Sequence, residues 1–187
     1  MLDANALHPH IPHLEWEVLV DRSRNALKTM QRDGYMPMRG RDIVSALALI
    51  VADDLVRNVG VDRTTAAHAA AQIAHAGQWW PDIMTGGRAL LAKRYGTPAP
   101  ERTPPRVLLA IVHEAHQSEP VIFIGSLDSI HSELAQGDRF RAVSVTEAWA
   151  TLVERAAAAR IDLGPYLVAL PTAANEGARE APQNRQH

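Results

Sequence analysis

The amino-acid sequence predicts an α+β fold, with a helical N-terminal part at residues 14–95 and a small α/β part at residues 106–170. Three observations carry this reading. Before residue 96 the apolar residues recur mostly at three- and four-residue spacing, the period of one helix face. Gly96 to Pro105, GTPAPERTPP, interrupts that pattern as a proline-rich linker. Beyond it, VLLAIV and VIFI are rich in the β-branched and aromatic residues that suit a pleated surface. The flanks, residues 1–13 and 171–187, read as flexible tails. The first combines prolines and histidines with little helical pattern, and the second is rich in Ala, Asn, Glu, Arg, Gln and Pro.

Leu14 to Gly34 reads as helical and broken near Asp21–Asn25, with Leu14, Val18 and Leu19 in one half and Ala26, Leu27 and Met30 in the other. Gly34 stops it and Pro37 confirms the exit. Asp42 to Val59 is the clearest helix: Ile43, Leu47, Ile50, Val51 and Leu55 form one stripe, and Gly60 lies just past the end. Asp62 or Thr64 caps an Ala-rich helix that runs to about Ala74 and stops by Gly77. A fourth helix starts with Pro81 in its first turn and ends before Gly96. In the second part RVLLAIVHE reads as a strand, QSEP as a turn and VIFIG as a second strand. LDSIHSELAQG is a short helix with Leu127, Ile130 and Leu134 on one side, and DRFRAV is a candidate third strand. Ser144 with Glu147 matches a capping box, opening a helix with Val145, Trp149, Leu152, Val153 and Ala156 on one face. No internal repeat is visible.

Composition narrows the function classes. Hydrophobic residues at 47% and charged residues at 21% match a soluble globular chain and argue against wholesale disorder. Aromatics are only 5%, so Ala, Leu, Val and Ile must build the core. No apolar run approaches the roughly 20 residues that span a bilayer, and MLDANALHPHIPH lacks the basic start and apolar stretch of a signal peptide. The expected compartment is the cytoplasm, with no membrane partner. The absence of cysteine removes disulfides, thiol nucleophiles and Cys-ligated metal sites. At a net charge of -2, any nucleic-acid role must rest on a local patch.

Such a patch is present. From Asp21 to Arg41, Arg22, Arg24, Lys28, Arg32, Arg39 and Arg41 are opposed by Asp21 and Asp33, so six cations against two anions leave +4. Ser23, Arg24, Asn25 and Lys28 stand at the front of the second half-helix, where Arg can pair with guanine edges and Asn with adenine edges. Arg39 and Arg41 flank Gly40 in a turn.

The stretch EVLVDRSRNALKTMQRDGYMP, followed by MRGRDIVSALALIVADDLVRNVGVDRTTAAHAAAQIA, resembles MerR-type helix-turn-helix regulators over roughly a third of the chain. SRNALK resembles the start of a recognition helix and MQRDGYMP its exit through a Gly into the wing. RGRDIVSALALIVADDLVRNVGV resembles the helix after the wing, and DRTTAAHAAAQIA the one that follows. The resemblance implies a winged helix-turn-helix-like N-terminal part, double-stranded DNA as partner and a homodimer. It assigns the second half of the chain a dimerising or effector role. Glu17 to Ser23 is short for the first helix and turn, so either that helix begins earlier, at Pro12, or the motif is degenerate.

Other clusters carry less. His113-Glu114-Ala115-His116 has two histidines three apart, where the zinc-protease pattern needs four on a helix, so a turn is the simpler reading. His8, His10 and His13 read as polar residues of the arm, and His68 and His75 share a helix face amid alanines without a carboxylate placed beside them. Of Trp79 and Trp80, at least one is expected in the core. MTGG lacks the Lys-Ser or Lys-Thr of a phosphate loop, and no Gly-x-Gly-x-x-Gly or Gly-x-Ser-x-Gly occurs. The expectation is a sequence-specific DNA-binding protein, a transcription regulator or mobile-element accessory factor, without a catalytic set, metal or cofactor. The competing expectation is a protein-interaction adaptor that uses a degenerate helix-turn-helix as scaffold.

Overall fold

Ten consecutive residues, Ile43 to Ala52, are buried in α3 (Ile43–Asp54), and their sequence explains why. The run is apolar on every side apart from Ser45, and a helix without a polar face belongs in the interior. The expected stripe covers one side; Ala46, Ala48 and Ala52 supply the other and let neighbours approach closely. Asp42 caps the helix, its Oδ1 accepting the Ser45 N–H at 2.8 Å. The computed structural model describes residues 9–113 and 120–167.

Around α3 are arranged α1 (His13–Val20), α2 (Arg24–Arg32), α4 (Arg63–Ala71), α5 (Trp80–Tyr95), α6 (Leu127–Glu133), α7 (Val145–Ala159) and α8 (Gly164–Leu167). Strands β1 (Leu108–His113), β2 (Val121–Gly125) and β3 (Arg139–Ser144) form an antiparallel sheet in the order β2-β1-β3. The chain is thus α+β, with a helical first part and a small mixed second part. Leu109 lies opposite Ile124 and Val143, and these residues join Ile111 and Ile122 against the main core. The alternate positions Ala110, Val112, Phe123 and Phe140 turn the other way, where α6 covers them with Ile130. No helix among the described residues is long and apolar enough to cross a membrane.

The proline-rich stretch marks a change of element type, not a gap in the packing. Trp80 on α5 meets Trp149 on α7 edge to face, with ring centroids 6.5 Å apart at 77°. Gly87 on α5 leaves room for the Trp149 indole. At the far end of the same pair, Arg94 and the Tyr95 hydroxyl both donate to Glu154, at 2.6 and 2.8 Å. Thr146 fastens the strand entry: its Oγ1 accepts the Val107 N–H at 2.9 Å, while the Val107 carbonyl accepts the N–H of Val145 at 2.9 Å.

Several expectations change. The flexible arm was placed at residues 1–13, yet Ile11 is 1% exposed and its N–H donates to the Arg41 carbonyl at 2.7 Å, while His13 opens α1. Burial and a backbone bond hold what composition alone marks as loose. The helix expected through Val59 leaves α geometry after Asp54, and Leu55–Val59 is a π turn closed by Gly60 at φ 73. Val59, the last residue of this turn, has a carbonyl without an intrahelical partner, and the Arg141 guanidinium donates to it at 3.3 Å. The Ala-rich helix tightens to a 3-10 turn at Gln72–His75. Ser144 caps α7 by accepting the Glu147 N–H at 3.1 Å, but the Glu147 carboxylate pairs with Arg106 at 2.8 Å. Residues 1–8, residues 168–187 and Glu114–His116 of the His-Glu-Ala-His motif lie outside the described residues.

Two predictions follow from packing and charge. Gly87→Ala should destabilise the chain by about 1–3 kcal/mol in chemical denaturation, because a methyl group there collides with Trp149. Burial, followed by the neighbouring Asp53 carboxylate, pushes the Asp54 carboxyl above its ordinary value. A raised folded-state value means that the folded chain binds this proton more tightly, so stability falls as pH rises from the usual Asp range. Asp54→Asn should therefore raise the melting temperature relative to the parent, by a margin that grows as the pH rises above the usual Asp range.

Candidate nucleic-acid interface

Backbone geometry first joins two short helices through a tight turn. α1 begins directly after Pro12, the earlier start that stands as the alternative to a degenerate motif. It ends at Asp21 in the left-handed region at φ 53, whose N–H reaches back to Glu17 and Val18 carbonyls. Only Asp21, Arg22 and Ser23 separate α1 from α2, the length of a tight helix-turn-helix connection. Ser23 caps α2, its Oγ accepting the Ala26 N–H at 3.3 Å, so that hydroxyl is occupied by the backbone. The corner is braced from α7, where Arg155 donates to the Leu19 carbonyl at 3.0 Å.

α2 itself is lightly seated. Leu27, 8% exposed, is its one buried residue. Gly34 at φ 77 turns the chain out of it into residues 33–42, which contain no strand. The wing-like element is therefore a loop and not a β-hairpin. Pro37 explains this in part, since it lacks the N–H a ladder needs, and Met36 and Met38 pack toward the core instead.

Helix periodicity divides the expected site residues. Arg24 and Lys28, four apart, share one flank of α2. Together with Arg39 and Arg41 of the loop they line a cleft of about 320 Å³, joined by His13 and Gln31. Among the described residues no carboxylate lines this cleft. None of the four cations makes an ion pair or side-chain hydrogen bond among the described residues. Like charges gathered this way repel, and the arrangement favours an anion between them.

The remaining residues go elsewhere. Arg22 turns to the opposite flank, where it forms a half-buried ion pair with Asp53 and donates to the Asp21 carbonyl at 2.8 Å. Asn25 lies on that flank too, lining a separate cavity. Arg32 pairs with its neighbour Asp33 at 2.8 Å on the exposed surface. Their hydrogen bond holds Asp33 below and Arg32 above the ordinary values. His13 and Gln31 were not singled out for this site; His13 reads as part of the arm, although its bond from α1 to Glu17 at 2.8 Å has the i,i+4 spacing of a helix.

Among the described residues no group of three or more His, Asp or Glu stands ready to hold a metal. His68 and His75 are exposed, Trp80 is buried and Trp79 lies against Gly125. Comparison with known protein families, curated proteins and solved structures finds no match to this chain, so the MerR-type resemblance rests on the residues quoted for it.

Proposed function

We propose that the chain binds double-stranded DNA through the cleft between α2 and the 33–42 loop, as a transcription regulator or mobile-element accessory factor in the cytoplasm. The observation that carries this reading is the convergence of Arg24, Lys28, Arg39 and Arg41 on one cleft without acidic partners. A duplex presents a dense line of phosphates, and each cation that neutralises one releases a condensed counterion. Arg24, in the first turn of α2, is the residue best placed to reach a base edge while the other three hold the backbone. Arg22 and Arg32, engaged by Asp53 and Asp33, are left out of the contact set. A homodimer would present two such clefts to a two-fold symmetric site.

A second reading, the protein-interaction adaptor, is favoured by α1. Leu14 and Val18, four residues apart, are 79% and 46% exposed and form a small apolar face open to solvent. The same face would serve a second copy of the chain.

Fluorescence anisotropy with a duplex at low salt tests the first reading. Arg24→Ala and Lys28→Ala should each weaken binding and reduce the slope of log affinity against log salt by about 1. Arg32→Ala should leave the slope unchanged. No detectable binding, or equal losses in all three variants, refutes the assignment. Indifference to DNA together with a stable protein complex that Leu14→Glu disrupts, seen by light scattering, supports the adaptor.

A further inference from the structure

The flank of α2 that faces away from the cationic cleft covers a second and larger hollow. It holds about 540 Å³ between α2, the end of α3 and the start of α4. Met30, Ala52, Val56 and Ala66 make most of its wall apolar, and Tyr35 adds an aromatic face. Asn25, Ala26 and Thr29 of α2 line it too, with three guanidinium groups and one carboxylate. Arg22 and Asp53 satisfy each other. Arg57 and Arg63 have no carboxylate within ion-pairing distance among the described residues, and although Arg57 feels the nearby Asp54 charge, the lining itself holds three guanidinium groups against the one carboxylate of Asp53. Arg63 stacks over the Tyr35 ring at 5.7 Å, which holds its guanidinium at the rim. The π turn at Leu55–Val59 contributes Val56 and Arg57 to the lining, and such turns recur where a helix is remodelled around a site.

We infer that this hollow binds a small organic anion with a flat apolar body, its acidic group held by Arg57 and Arg63 and its body against Met30, Val56 and Tyr35. The chemistry is complementary at both ends. A guanidinium pair recognises a carboxylate or sulfonate through charge-assisted hydrogen bonds, while a mostly apolar concavity of this size suits a small-molecule body. A purely polar anion would leave the apolar wall unused, and a neutral hydrocarbon would leave both guanidinium groups unpaired. The inference is independent of the DNA reading, since its test contains no nucleic acid.

Two fluorescent probes that differ in one group decide it. Anilinonaphthalene sulfonate carries the acid, and N-phenylnaphthylamine is its neutral counterpart. With the full chain, the sulfonate should bind saturably with one equivalent, at least about tenfold more tightly than the neutral probe, the size expected for charged hydrogen bonds. The double variant Arg57→Ala with Arg63→Ala, both exposed positions, should lose that preference while still binding the neutral probe and melting like the parent. Ala26→Trp, which fills the hollow from α2 while keeping every arginine in the sequence, should abolish binding of both. Absence of saturable sulfonate binding, equal affinity for the two probes, an unaltered preference in the double variant, or binding that survives Ala26→Trp each overturns the inference.

Discussion

The burial of α3 on every side is the constraint on which the rest of the arrangement depends. An apolar rod must be enclosed, and here α1, α4, α7 and the sheet enclose it. Only its ends remain available to hold anything at the surface. The front end receives the 33–42 loop through the Asp42 cap. The back end offers Asp53 to Arg22 in the corner before α2. α2 is thus tethered to both ends of α3 while burying little more than Leu27. A helix held by its ends and not along its length leaves hollows on both flanks, and the two hollows described here are those flanks.

The charges follow the same division. On one flank the arginine nearest the body is neutralised by a half-buried carboxylate, and on the other the cations stand without one. Exposed pairs such as Arg32 with Asp33 contribute roughly 0–1 kcal/mol and hold little. A half-buried pair is a firmer tether, because removing one partner strands the other's charge in a poorly solvated place. Arg22 therefore reads better as a strut of the corner than as a reader of ligand, even though it belongs to the same basic run of sequence.

Much of the architecture was legible where local chemistry decides it. Gly34, Gly60 and Gly96 each take the left-handed conformation that ends a helix, at φ 77, 73 and 65. Asp42, Asp62 and Ser144 cap the helices they precede. VLLAIV, VIFIG and DRFRAV pair as strands, their β-branched and aromatic residues suiting a sheet whose central strand is buried on both faces. What escaped the sequence is long-range. No side-chain pattern announces the π turn, at whose end the Val59 carbonyl is taken by Arg141, 82 residues further along. The sorting of Arg22 and Asn25 away from Arg24 and Lys28 depends on how α2 is rolled, and Leu27 and the distant Asp53 set that roll. Residues 33–42 form a loop in which Met36 and Met38 pack against the core and Pro37 lacks the N–H that a ladder needs.

The bond from the Ile11 amide to the Arg41 carbonyl ties the segment before α1 to the loop that carries Arg39. Buried as it is, Ile11 acts as a peg, and the loop hangs from it. Trimming the polypeptide past this residue would unfasten the loop, and two of the four guanidinium and ammonium groups would drift from the other pair. Residues that look dispensable by composition thus set the spacing of the charges.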